Sequence, residues 1–209
     1  MRIEILCERV EHIDADALLI PVDGPVKVLL GGGALAGIKG AMLEERLKRP
    51  EPDETMQEVH RELTEEREEF EQQVPVRIPR GSARVVDGIA RWERLVLADC
   101  LHHNQGTEIF APEAHAAGVR RGVQAAVAAA EEAGLQSLLM TPIGTATRIS
   151  VEASIAAIAQ GLADRRNARI TIRWTFIDSH RSTAAAADVA RAACLALGLE
   201  VADGPLTTP

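Results

Sequence analysis

The chain has 209 residues, enough for one sizeable core at roughly 100–200 residues per domain. Hydrophobic residues at 46% and charged residues at 26% exclude the disordered, collagen-like and membrane classes. The net charge of −8, with acids dense between Glu44 and Gln73 and basic residues scattered elsewhere, disfavours non-specific nucleic-acid binding, which needs clustered basic residues to displace counterions.

In chain order, RIEILCE and DADALLIPV are short runs rich in Ile, Leu and Val that read as strands, the second stopping at Asp23-Gly24-Pro25. Residues Leu29 to Met42, LLGGGALAGIKGAM, place three glycines ahead of a helix predicted over Ala34 to Arg49. Pro50-Glu51-Pro52 ends that helix, because proline cannot continue the hydrogen-bond ladder. From Asp53 to Gln73, Met56, Val59, Leu63 and Phe70 form a weak stripe in a charged helix. That stripe marks an acidic helical insertion over about 51–73, a solvated face and a possible surface for a protein partner.

SARVVDG and ERLVLADC follow as strands with a turn at Asp87-Gly88. Pro112 to Gly134 has proline at its start, many alanines and a terminal glycine, the punctuation of a helix. Gln136 to Pro142 reads as a strand, Ser150 as the cap of a helix through Asp164, and Ala168 to Ile177 as a strand. Ser179 to Leu197 reads as the last helix and 202–209 as a flexible tail, leaving 1–201 as a single domain. Strands and helices alternate around one strand pair, which calls for a mixed sheet of about six strands with helices on both faces.

In such sheets ligands bind where the strands end. Gly31, Gly33 and Ala36 match GxGxxA. No strand ending in an acid follows at the distance a dinucleotide fold requires, however, and Lys39-Gly40 lacks the hydroxyl of a P-loop. What remains is a nest of backbone N–H groups suited to an anion, or a tight turn that only permits positive φ. TPIGTATRIS, Thr141 to Ser150, is a second loop of this kind, with Gly144, Thr145, Ala146 and Thr147 offering small residues and hydroxyls.

His102 and His103 follow a strand end beside Asp99 and Asn104 and read as a polar loop, since neighbours on a strand point to opposite faces. Cys7, Cys100 and Cys194 show no metal spacing, so neither a metal nor a cofactor is expected. Trp92 and Trp174 read as core residues. Without a signal-peptide h-region or a run of about 20 apolar residues, a soluble cytoplasmic protein is expected, with no membrane contact.

The order IDADALLIPVDG, LLGGGALAGI, PRGSARVV, WERLVLAD, SLLMTPIGTA and ITIRWTFID resembles the macro domain, over roughly Met1 to Leu197. The resemblance implies a three-layer α/β/α fold that binds ADP-ribose or a related nucleotide diphosphate. Asp16-Ala17-Leu18-Leu19, Gly31-Gly32-Gly33, Gly81-Ser82-Ala83 and Gly144-Thr145-Ala146 match the family's successive elements. Where the family carries Asn-Ala-Ala-Asn, this chain has Ile20-Pro21-Val22-Asp23. The acid that often follows the glycine run falls at Ala36, and Thr147 and Arg148 stand where an aromatic packs on the ribose.

Carried over residue by residue, Gly31, Gly32, Gly33, Ala34, Gly144, Thr145, Ala146 and Thr147 hold the diphosphate. Glu8 senses the base, although one extra residue separates it from Asp16. Asp23 lies near the distal ribose as ligand contact, as general base or as a turn cap, and Arg148 supplies a cation that offsets its charge. The alternatives are an ADP-ribosyl hydrolase or ADP-ribose-1''-phosphate phosphatase using Asp23, and a degenerate fold serving as an interaction or sensor module.

Overall fold

The computed structural model describes residues 1–22, 61, 64–65, 78–88, 91–100, 112–144, 149–178, 181–182 and 184–203. Strands β1 (Arg2–Arg9) and β2 (Ala17–Val22) precede β3 (Ala83–Asp87) and β4 (Arg94–Asp99). Helix α1 (Pro112–Glu132), strand β5 (Ser137–Met140), helix α2 (Val151–Ala163) and strand β6 (Thr171–Asp178) follow. The short β7 (Arg181–Ser182), helix α3 (Ala184–Ala196) and β8 (Val201–Asp203) complete the described elements. One mixed sheet runs β3-β4-β2-β5-β6-β1-β8, with β7 added on β6. The α/β class is the one expected, but among the described residues the sheet has eight strands and not about six.

Both extra strands come from the last part of the chain. Ser179 to Leu197 was expected to be one helix, yet Ile177 and Asp178 pair with Ser182 and Arg181 in a small hairpin, and α3 starts only at Ala184. Ala202 and Asp203, expected in the flexible tail, pair with Glu4 and Ile5 of β1. A three-residue strand is too short to show any period, so its partner alone reveals it.

The alternation along each strand sorts the core into two faces. Ala17, Leu19, Val96, Ala98, Leu138, Met140, Ile172 and Trp174 face α1, α2 and α3. Leu18, Ile20, Leu95, Leu97 and Leu139 face the other way, with Val10, Ile13 and Trp92. Chain direction explains the split. The connections β4 to β5, β5 to β6 and β6 to β8 all advance one way along the sheet and carry α1, α2 and α3. The connection β1 to β2 runs the opposite way, and right-handed crossing then requires it on the opposite face.

Arginines fasten that connection. Arg173 Nη1 donates to the Asp14 carbonyl and Arg91 to the Glu11 carbonyl and the Asp14 carboxylate, while Arg9 pairs with buried Glu11 at 2.7 Å. The predicted helix over Ala34 to Arg49 lies outside the described residues; of the acidic insertion, Arg61, Thr64 and Glu65 are described and helical.

Local signals hold where the sequence is punctuated. Gly134 adopts φ +74°, Leu135 N–H donates to the Ala130 carbonyl at 3.0 Å and Gly134 N–H to Glu131, the paired closure that left-handed glycine allows a helix end. Ser150 caps α2, its Oγ accepting from Ala153 N–H at 3.1 Å. The β3–β4 hairpin closes through Gly88 N–H to the Glu93 carbonyl at 2.9 Å. Trp92 and Trp174 are core residues as expected, 1% and 0% exposed.

Arg120 grips Asp164 with two hydrogen bonds, 2.6 and 2.9 Å, and Gln124 adds a third, joining α1 to the end of α2. The Arg120 hydrogen bond, helped by Gln124, holds the Asp164 carboxyl below the usual aspartate range against the opposing effect of burial. A depressed folded-state value contributes stability that is complete above the unfolded value and lost as pH falls through the folded one. In thermal melts, the deficit of Asp164→Asn relative to the parent is therefore expected at neutral pH, narrowing below about pH 4. A deficit independent of pH would assign the effect to packing.

Candidate functional site

Strands β4, β2, β5, β6, β1 and β8 are mutually parallel, so their carboxyl ends share one edge. From β2 the chain leaves toward β3 and β4; from its neighbour β5 it leaves toward β6. Two adjacent strands whose exits diverge leave a crevice between them, the place where open α/β sheets bind ligands. The walls of this crevice start at Val22 and at Thr141.

On the β5 side, Thr141 and Ile143 are buried. Gly144 adopts φ +81°, a conformation L side chains avoid, and an added Cβ would stand 3.0 Å from Ile149 Cδ1. Ser154, fully buried on α2, accepts Ile143 N–H at 3.2 Å and donates to the Ile143 carbonyl at 2.5 Å. The first turn of α2 is occupied by its own side chains. Besides the Ser150 cap, the Glu152 carboxyl is drawn below its ordinary range by its own backbone N–H and by Ser150.

On the β2 side, Val22 is level with Asp99 of β4, and Cys100 N–H donates to the Val22 carbonyl at 3.1 Å. Asp99 is 2% exposed. Its carboxylate accepts Gly81 N–H at 2.7 Å and Arg80 Nη1 at 3.2 Å. Gly81, at φ +71°, thereby fixes the entry to β3, so the matched Gly81-Ser82-Ala83 anchors a strand. Helix α1 closes on the same corner. A Cβ on Gly122 would meet Cys100 Sγ at 2.4 Å and the Asp99 carbonyl at 2.7 Å.

Of the residues singled out from sequence for ligand contact, Glu8 and Gly144 are described. Both sit at the carboxyl edge, Gly144 beyond β5 and Glu8 at the end of β1, with β6 between their strands. Asp23, Gly31, Gly32, Gly33, Ala34, Thr145, Ala146, Thr147 and Arg148 lie outside the described residues, as do His102, His103 and Asn104.

Glu8 is half-buried and falls in a β-bulge. Leu6 pairs with Thr175 and Arg9 with Ile177, so Cys7 and Glu8 together oppose one residue. Asp16, matched by sequence alone, is at the opposite edge. Its carboxylate accepts Gln136 and Ser137 N–H at 2.6 and 3.1 Å, and its own N–H donates to Ser137 Oγ, pinning β2 to the start of β5.

The thiols are poor nucleophiles. Burial pushes Cys100 up, raises Cys194 to about 11, and with Asp188 raises Cys7. Among the described residues no three His, Cys, Asp or Glu side chains gather to hold a metal, and no helix is long and apolar enough to cross a membrane.

No protein-family model matches the sequence, and no curated protein is similar to it in sequence. Solved structures are similar to it in fold. The Oceanobacillus iheyensis macrodomain with MES bound is similar with a TM-score of 0.60 at 13% identity, covering 92% of this chain and 90% of that one. The same macrodomain with ADP gives 0.59 at 13% identity with the same coverage. The Trypanosoma brucei macrodomain in complex with ADP gives 0.54 at 10% identity, over 90% of this chain and 67% of that one. With its parallel core and opposed exits at β2 and β5, the chain has the macro-domain fold.

Proposed function

We propose that this protein binds ADP-ribose or a related nucleotide diphosphate in the crevice between the ends of β2 and β5. The observation that carries the reading is the divergence of the two exits at this crevice, with Gly144 in a left-handed turn on one side. The glycine run at 31–33 follows β2 in sequence on the other side. Backbone N–H groups of Gly31, Gly32, Gly33, Ala34, Gly144, Thr145, Ala146 and Thr147 take the diphosphate oxygens, which need several donors and no side-chain bulk.

Arg148 adds a fork suited to phosphate and offsets Asp23, whose carboxylate accepts from hydroxyls of the distal ribose. Glu8 accepts from the amino group of the base. Among the described residues its carboxylate has no hydrogen-bond or ion-pair partner, and β5 to β1 is two strand spacings, about 10 Å, the scale of a nucleoside between its base and its phosphates. The macrodomains in complex with ADP support the same ligand class. Hydrolysis of a bound ADP-ribose derivative would fall to Asp23 as the base that activates water.

Calorimetric titration with ADP-ribose tests the reading. Saturable heat at one ligand per chain is expected, and no heat at millimolar ligand would sink it.

A further inference from the structure

We propose that two buried hydroxyls, Thr175 and Ser154, are positioning residues that preset the base end and the diphosphate end of the crevice. The inference rests on the nucleotide reading above. Each hydroxyl does the same thing to one residue of the carboxyl edge. Thr175 Oγ1 accepts Glu8 N–H at 3.4 Å and donates to the Glu8 carbonyl. Ser154 Oγ accepts Ile143 N–H at 3.2 Å and donates to the Ile143 carbonyl at 2.5 Å. Both side chains are 0% exposed.

Neither clasp is part of the regular scaffold. At Glu8 the bulge interrupts the β1–β6 ladder, and an interrupted ladder leaves backbone groups in need of partners. Thr175 meets both from the neighbouring strand and so sets where the bulged residue stands. Ile143 lies beyond the last residue of β5, and α2 already has its own cap in Ser150. What Ser154 fixes is the residue immediately before the left-handed Gly144.

A single hydroxyl that satisfies a donor and an acceptor of one residue locks that residue in place, and a site held in its bound geometry loses less entropy on binding. The two clasps stand at the two described residues that the sequence singled out for ligand contact, Glu8 and Gly144.

The test uses the intact chain and three ligands, ADP, IDP and AMP, titrated by calorimetry. The ADP-to-IDP affinity ratio reads the base amino group, and the ADP-to-AMP ratio reads the second phosphate. Thr175→Val is expected to bring the first ratio close to one while sparing the second, and Thr175→Ser to restore it. Ser154→Ala is expected to cut the second ratio about tenfold while sparing the first, the cost of two backbone groups left unmet.

A common factor lost on all three ligands would make both residues merely structural and overturn the proposal, as would ratios that do not move. A parent protein that binds ADP and IDP equally would remove Glu8 from base recognition, and Thr175 with it. Failure of the parent to bind ADP at all would overturn the nucleotide reading itself.

Discussion

Gly144→Ala is expected to weaken ADP-ribose binding about tenfold while shifting the melting temperature by only a few degrees. At φ +81° an alanine pays roughly 1–2 kcal/mol, and its Cβ also presses on Ile149 Cδ1 at 3.0 Å. The loop has a cheap escape, because the nearest atoms that the added Cβ meets are side-chain atoms of Ile149 and Val119. It relaxes, and only a fraction of molecules keep the left-handed turn. Apparent affinity falls by that fraction, and about 1.4 kcal/mol corresponds to a factor of ten. Titration and thermal melting of the same sample separate the two effects. Unchanged affinity would take the 141–150 loop out of the binding site.

Gly122→Ala is expected to do the reverse, costing about 2 kcal/mol of stability and lowering the melting temperature by about 6 °C. Helix propensity alone predicts a gain of about 1 kcal/mol, since alanine is the better helix former. Packing decides the sign. The new methyl would sit 2.7 Å from the Asp99 carbonyl and 2.9 Å from Cys100 Cα, backbone atoms of a strand end that is itself tied to Val22 and Gly81. Helix α1 must lift off the sheet. A melting temperature equal to or above the parent's would show that α1 has room there.

Much of the architecture was written in punctuation. Gly134 and Ser150 bound helices as expected because their signals are local: a left-handed φ that only glycine takes freely, and an oxygen reaching a backbone N–H three residues on. Trp92 and Trp174 were legible as core from their positions in or beside strands. β7 and β8 were not, since two or three residues define no period and only their partners Asp178 and Ile5 make them strands.

At the carboxyl edge, the turn at Gly144 was legible because glycine is the residue that takes a positive φ freely. Ser154 and Thr175 were not. In SIAAI and ITIRWT a hydroxyl at a buried position reads the same as one turned to water until the register is known. The bulge at Glu8 further uncouples face from position along β1, so the alternation that served β2 and β4 gives no orientation there. Asp16, matched only as the start of a strand motif, fastens the far edge of the sheet.

The placement of β1 between β6 and β8 bears on how the molecule is made. Both hydrogen-bonded neighbours of β1 come from the far end of the sequence, and Arg173 reaches Glu4 across 169 positions. Ile3 and Ile5, central to the larger core, therefore wait with both edges open while the intervening strands and helices assemble. Such long-range parallel pairing is slow to nucleate and leaves an apolar strand available to foreign edges meanwhile. A chain cut anywhere in the stretch that forms α3 and β8 forfeits the outer neighbour of β1 altogether.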